Sequence, residues 1–202
     1  MLRILKLLLL ISSISIAIYA IVVYGFLELG IAVHPAMKSA YQAHPLGIYF
    51  HVFSSLVALA IGPFQFNTNL RRNNAKLHKL LGKIYLLGVL IGSLSGLYMA
   101  HFSFGGMVSH VGFICLAVLW FVTGFNAYIS IIKRNIQQHY YWMFINFALT
   151  FAAVTLRIGL GIGFATGIPF EVFYPLLAWI CWIPNLIVAI VLLKTKYKNA
   201  NI

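Results

Sequence analysis

Four histidines, His51, His78, His110 and His139, fall one each on four successive apolar runs and alternate between the two ends of those runs. A neutral imidazole is the commonest protein ligand for a metal. Two imidazoles facing each other at one depth, with two more at a second depth, make the axial ligand set of two stacked b-type haems. Such a stack passes electrons across a membrane. The pairing expected from depth is His51 with His110 for an outer haem and His78 with His139 for an inner one. His101 is an alternative to His110 in the outer pair. His34, His44 and His101 are a further candidate set for a metal ion near the surface.

The elements that must position these side chains are membrane spans. The 202 residues are 62% hydrophobic and only 8% charged, with a mean hydropathy of +0.97, which excludes an ordinary soluble domain. A span needs about 20 mostly apolar residues. Six runs satisfy this, at about 5–27, 46–66, 77–100, 108–132, 138–163 and 172–194. The connections between them are short, so the reading is a single all-α transmembrane domain over residues 1–202. It is a polytopic six-helix bundle with spans 2–5 as a four-helix core.

Charge sets the orientation. Arg3, Lys6, Arg71, Arg72, Lys76, Lys79, Lys83, Lys133, Arg134, Lys194, Lys196 and Lys198 all fall on one side, and only Lys38 and Arg157 lie toward the other. Lys and Arg collect on the cytoplasmic side, so both termini are expected there, with the only two acids, Glu28 and Glu171, outside. The net charge of +12 is then a topological signal and an attraction to anionic lipid, and no nucleic-acid partner is expected. The run Leu7–Leu27 is longer than a signal-peptide core and no clean A-x-A site follows it, so it reads as a retained span. Cys115 and Cys181 lack zinc-type spacing and read as small buried apolar residues.

Local signals fix where the histidines sit. His34-Pro35 and His44-Pro45 mark the outer segment Glu28–Pro45 as an ordered loop or short interfacial helix. Gly62-Pro63 predicts a kink or stop at the inner end of span 2. Asn73 or Asn74 and Asn135 are expected N-caps, which puts His78 and His139 in the first turns of their helices. Gly105-Gly106 and Thr166–Pro169 are the outer turns.

Residues four, seven, eleven, fourteen and eighteen positions on share a helix face with each histidine. From His78 these are Gly82, Tyr85, Val89, Gly92 and Gly96; from His51 they include Ser55, Ala58 and Gly62. From His110 they include Ala117 and Gly124, and from His139 Ala153 and Arg157. Small residues on these faces leave room for a macrocycle edge, or equally let helices pack closely. Arg157 is a cation inside a span. It either snorkels to the interface or pairs with an outer haem propionate. Arg71, Arg72, Lys79, Lys83 and Arg134 could serve the inner side in the same way, or attract an anionic donor.

The segments GPFQF (62–66), LHKLLGKIYLLGVLIGSLSGLYMA (77–100) and HYYWMFINFALTFAAVTLRI (139–158) resemble an uncharacterised bacterial integral-membrane family, a domain of unknown function. The resemblance covers about residues 46–160 and implies a bacterial cytoplasmic membrane. Members often carry a basic residue after the histidine of the third segment, where this chain has Tyr140. The plan of six helices with ligands on the central four is similar to cytochrome b561, by architecture rather than by motif. That resemblance implies two haem b groups held by His51, His78, His110 and His139, and electron flow from a cytoplasmic donor to an external acceptor. The expected function is therefore a di-haem electron carrier or reductase with small-molecule donor and acceptor, in a lipid bilayer, as a monomer or a homodimer. The alternative is a small transporter or metal-ion-binding protein that uses the same histidines without haem. A scaffold for a partner protein or lipid is a third reading. No H-E-x-x-H or G-x-S-x-G element supports hydrolysis.

Overall fold

In a computed structural model of the chain, the backbone is described for residues 2–200 and the side chains for residues 4–196. Arg3 and Lys198, counted above with the basic side, lie outside the described side chains. The described residues are helical throughout, with short turns between. Six helices or helix pairs are long and apolar enough to cross a membrane. The first span is α1 (Leu2–Phe26), and a short outer helix α2 (Pro35–Ala43) follows it. Span 2 is α3 (Pro45–Gln65), and the short basic helix α4 (Thr68–Asn73) leads into span 3, α5 (Ala75–Ala100). Span 4 is α6 (Gly106–Ile132).

The last two spans are interrupted. Span 5 runs as α7 (Ile136–Thr150) and α8 (Ala152–Ala165), broken at Phe151; span 6 runs as α9 (Phe170–Ile180) and α10 (Ile183–Ala200), broken at Cys181 and Trp182. Pro175 inside α9 removes one backbone donor six residues before Cys181.

Side-chain caps fix the helix starts that carry the inner histidines. Asn74 accepts a hydrogen bond from the Leu77 N–H and opens α5; Asn135 accepts one from the Gln138 N–H and opens α7. The outer turn into α6 is built on Gly105, at φ +93°, a conformation that a side chain strains.

Spans 2 to 5 close into a ring. α3 lies along α5, α5 along α6, α6 along α7, and α7 returns to α3. α3 therefore faces α6 across the ring, and α5 faces α7. α1 packs along the outside of α3, and α9 packs against α6 and α8. The tightest approach is between α3 and α5. A methyl group on Gly88 would sit 2.8 Å from the Ser54 carbonyl oxygen, so the glycine is needed for two backbones to touch. Outward faces carry exposed Phe50, Leu87, Val118, Ile162 and Leu192, the surface that a lipid bilayer covers.

A buried polar network ties the middle of the ring. The Tyr85 hydroxyl donates to Asn146 Oδ1 at 2.7 Å, and the Asn146 amide donates to the Trp120 carbonyl and to Thr123 Oγ1, both at 2.8 Å. Trp120 Nε1 donates to Thr150 Oγ1 at 2.9 Å. Three helices, α5, α6 and α7, are thus linked by buried side chains. Both amide hydrogens of Asn146 and its oxygen are satisfied, as a buried amide requires.

Candidate functional site

Above this network, toward the end opposite the basic loops (called outer below), the ring encloses a cavity of about 180 Å³. Trp120 and Thr150 form its floor, and Met37 and Tyr41 of α2 close over its mouth. His51, Ser55, Gly92, Gly96 and Ala117 line its walls, and Arg157 of α8 enters from the side. In the outer half Gly92 and Gly96 line the cavity while also receiving the Ser55 and Trp120 side chains and the His51 ring. In the inner half the same kind of position is filled. A methyl on Gly62 would collide with the Phe147 ring at 2.4 Å, and one on Gly124 with Val89 at 2.8 Å. There the glycines serve side-chain packing, not a void.

His51 is fixed to the wall. Its Nδ1 lies 2.9 Å from the Gly92 carbonyl oxygen of the neighbouring helix α5. A carbonyl only accepts, so Nδ1 carries the proton and Nε2 is left as a bare base. The ring also fills the notch at Gly96, where a methyl would stand 2.8 Å from Nδ1. His139 repeats the arrangement at the inner end. Its Nδ1 lies 2.8 Å from the Ala127 carbonyl oxygen of α6, again across a helix interface. His78, across the ring on α5, is close enough to His139 for the two charges to interact, with Arg71 beside it. Its buried Nδ1 has no hydrogen-bond partner.

His110 differs. Its Nε2 lies 2.9 Å from the Ser103 carbonyl oxygen of the preceding turn, so the nitrogen that would face a ligand is engaged locally. Ser103 lines the cavity, and His110 is not among the lining residues. The structure therefore brings His78 and His139 near one another, and places only His51 of the outer pair on the cavity. His101 bonds the Leu97 carbonyl one turn back on its own helix and does not line the cavity either.

The surface metal set is not assembled. His34 stacks on Phe170 with centroids 3.9 Å apart, while His44 stacks on Phe102 at 3.7 Å and bonds the Tyr98 hydroxyl. These rings are used as aromatic packing and helix caps. Among the described residues no three His, Cys, Asp or Glu side chains converge on a metal position.

Arg157 is half-buried and makes one hydrogen bond, from Nη1 to the Ala153 carbonyl at 3.3 Å. Its charge reaches His51, Tyr24, Tyr41 and Tyr174. Among the described residues it has no ion-pair partner, and of the chain's two acids Glu28 bonds the Gln42 amide. Ser55 Oγ is buried beside it with no partner. Among the described residues the cavity lining holds a cation and no anion, and its bare nitrogen acceptor, His51 Nε2, is neutral. Tyr41 at its mouth shares a hydrogen bond with Tyr24, and burial pushes its phenol well above the ordinary value. Tyr24 and Tyr174 reinforce that shift and Arg157 opposes it.

Sequence reasoning found His51 and Arg157 but missed Tyr41, Tyr174, Ser55's unpartnered hydroxyl and the Tyr85–Asn146–Thr150 network. Asn146 was the available signal, an amide in the middle of an apolar run. The tyrosines gave none, because interfacial aromatics are common in membrane helices.

Fold and site together define an integral membrane protein, a six-span helical bundle with a mainly apolar cavity that carries a few polar groups. The chain belongs to the family described as predicted membrane protein (DUF2306), whose model matches residues 48–193, from early α3 into α10. No match was found among the curated proteins or the solved structures.

Proposed function

We propose that the protein is a transmembrane electron carrier holding b-type haem on the histidines of its four-helix ring, in the manner of cytochrome b561. His51 with His110 would serve the outer end and His78 with His139 the inner end. The observation that carries this reading is the anchoring of His51 and His139. Each puts Nδ1–H on a backbone carbonyl of a neighbouring helix, which fixes the tautomer and aims a bare Nε2, the way metal-ligating imidazoles are oriented. The ring topology adds to it, since both pairs lie across diagonals rather than on adjacent helices.

Haem bound between two imidazoles supplies reversible one-electron chemistry. The protein's share is position and charge. Gly92 and Gly96 hold the Nδ1–Cε1 edge of the His51 ring against α5. Arg157 offers a fork for a carboxylate at the outer end. The polar floor of Trp120 and Thr150 separates the outer cavity from the inner histidines. Arg71, Arg72, Lys79, Lys83 and Arg134 make the inner rim a landing surface for an anionic donor, on the cytoplasmic side by the positive-inside rule. His110 must release the Ser103 carbonyl before its Nε2 can serve.

The test is a set of four histidine-to-alanine variants read by reduced-minus-oxidised absorption spectra and redox titration. His78→Ala and His139→Ala should each abolish the same low-spin component and spare the other, and His51→Ala should do the converse. Spectra unchanged in all four variants would refute the assignment. A protein that binds no haem but is stabilised by a soft metal ion would favour the transporter reading instead.

A further inference from the structure

A second, smaller cavity of about 50 Å³ opens behind α3, between α1 and α8. It shares four residues with the main cavity, His51, Ser55, Ala153 and Arg157, so the two spaces meet at the Arg157 side chain. Beyond that junction its lining is wholly apolar, with Ala17 and Ala20 on α1 and Leu56 and Leu59 on α3. α1 packs along α3 and touches α8 only lightly, so this side of the bundle faces lipid.

The junction's two donor groups are under-used, and its one bare side-chain acceptor, His51 Nε2, is neutral and does not balance the guanidinium charge. Ser55 Oγ has no partner, and the guanidinium spends one of its five N–H groups on a carbonyl. A half-buried cation without a counter-ion is costly inside a membrane. A ligand that relieves this must bring negatively charged oxygen, and to occupy the crevice it must also bring a narrow apolar chain. A carboxylate is planar and matches the guanidinium fork.

We infer that the Arg157 junction and the α1–α8 crevice form one binding site for a single-chain amphiphile with a carboxylate head. The carboxylate lies on Arg157 and Ser55, and the chain enters the crevice between α1 and α8. This site does not depend on haem. The same carboxylate chemistry could instead come from a haem propionate, and the experiment separates the two sources.

Purified protein with its haem content quantified is titrated with radiolabelled palmitate, with hexadecanol as the competitor lacking charge. Arg157→Gln should weaken palmitate binding at least tenfold, the loss expected for a charge-assisted pair. Ala20→Phe, which blocks the crevice, should weaken it comparably, and hexadecanol should compete poorly. Ser55→Ala removes one hydroxyl without altering packing and should give a several-fold loss, which keeps the test decisive if a larger change fails to fold. Absence of saturable binding, or binding indifferent to all three substitutions, overturns the inference. So does palmitate binding that is excluded by stoichiometric haem while Arg157→Gln shifts the haem potential, because the acceptor is then the propionate. Saturable, Arg157-dependent binding to protein that never takes up haem upholds this site and refutes the electron-carrier reading alone.

Discussion

Replacing Gly96 with alanine strikes the one position where backbone and candidate ligand touch. A methyl there would lie 2.8 Å from His51 Nδ1 and 2.9 Å from Cε1, against the 3.4 Å at which ordinary contact begins, so the ring must retreat by about 0.6 Å. Retreat from α5 stretches the Nδ1 bond to the Gly92 carbonyl from its present 2.9 Å toward the limit of a hydrogen bond. A polar bond between membrane helices contributes roughly 0.6–1.7 kcal/mol. Overpacking adds a cost of roughly 1–3 kcal/mol. The higher helix propensity of alanine returns about 0.5–1 kcal/mol. The net expectation is a destabilisation of about 1–4 kcal/mol. Gly161 is the control, because a methyl there meets nothing within 4 Å, and its alanine variant should be neutral or slightly stabilised. The assay is thermal unfolding in detergent followed by thiol labelling of Cys181, which is 1% exposed in the folded protein. Gly96→Ala should label at a lower temperature than wild type, and Gly161→Ala should not. Equal midpoints for the two variants would show that the His51 ring is not packed in the Gly96 notch. If His51 is an axial ligand, Gly96→Ala should also lose the outer haem signal while Gly161→Ala retains it.

Other expectations follow from the same geometry. Asn146→Val deletes three buried hydrogen bonds across α5, α6 and α7, and should destabilise by about 2–4 kcal/mol in the same labelling assay; a neutral effect would refute the network as a structural tie. Tyr41 lies outside the spans, and its phenol is held protonated by burial. The unfolded phenol ionises at about pH 10 while the folded one does so well above it, so stability contributed by Tyr41 is complete below pH 10 and falls as the pH rises further. Tyr41→Phe should reduce that alkaline loss, measured as the labelling midpoint from pH 8 to pH 11, roughly the range that brackets a free phenol. Gly105→Ala should lower the midpoint as well, because its φ of +93° is strained for a side chain and the added methyl would meet Pro175 at 2.7 Å.

The spans were legible because lipid imposes a simple demand of length and apolarity, and that demand is written in consecutive residues. The starts of α5 and α7 were legible at Asn74 and Asn135 for a similar reason, since a cap is a local bond. The break at Phe151 was not. It has neither glycine nor proline beside it, and the neighbouring Thr150 hydroxyl donates to the Asn146 carbonyl one turn back, a bond that the residue order alone does not reveal.

The glycines show the same limit. Gly88, Gly92, Gly96, Gly62 and Gly124 are alike in the sequence. The structure gives Gly88 a backbone contact, fits Gly92 and Gly96 around the Ser55–Trp120 wall and the His51 ring, and fills the other two with Phe147 and Val89. Spacing alone could not sort these roles, because they depend on what the facing helix presents. His110 illustrates the remaining gap, where a bond to the preceding turn competes with a role across the bundle.

The central claim rests on whether the chain carries haem. The direct measurement is the absorption spectrum of detergent-purified protein, expressed with ample haem supply, oxidised and then reduced, with haem quantified per chain. The electron-carrier account predicts close to two low-spin b-type haems per chain, each lost with its own histidine pair. Protein that contains no haem under those conditions contradicts it.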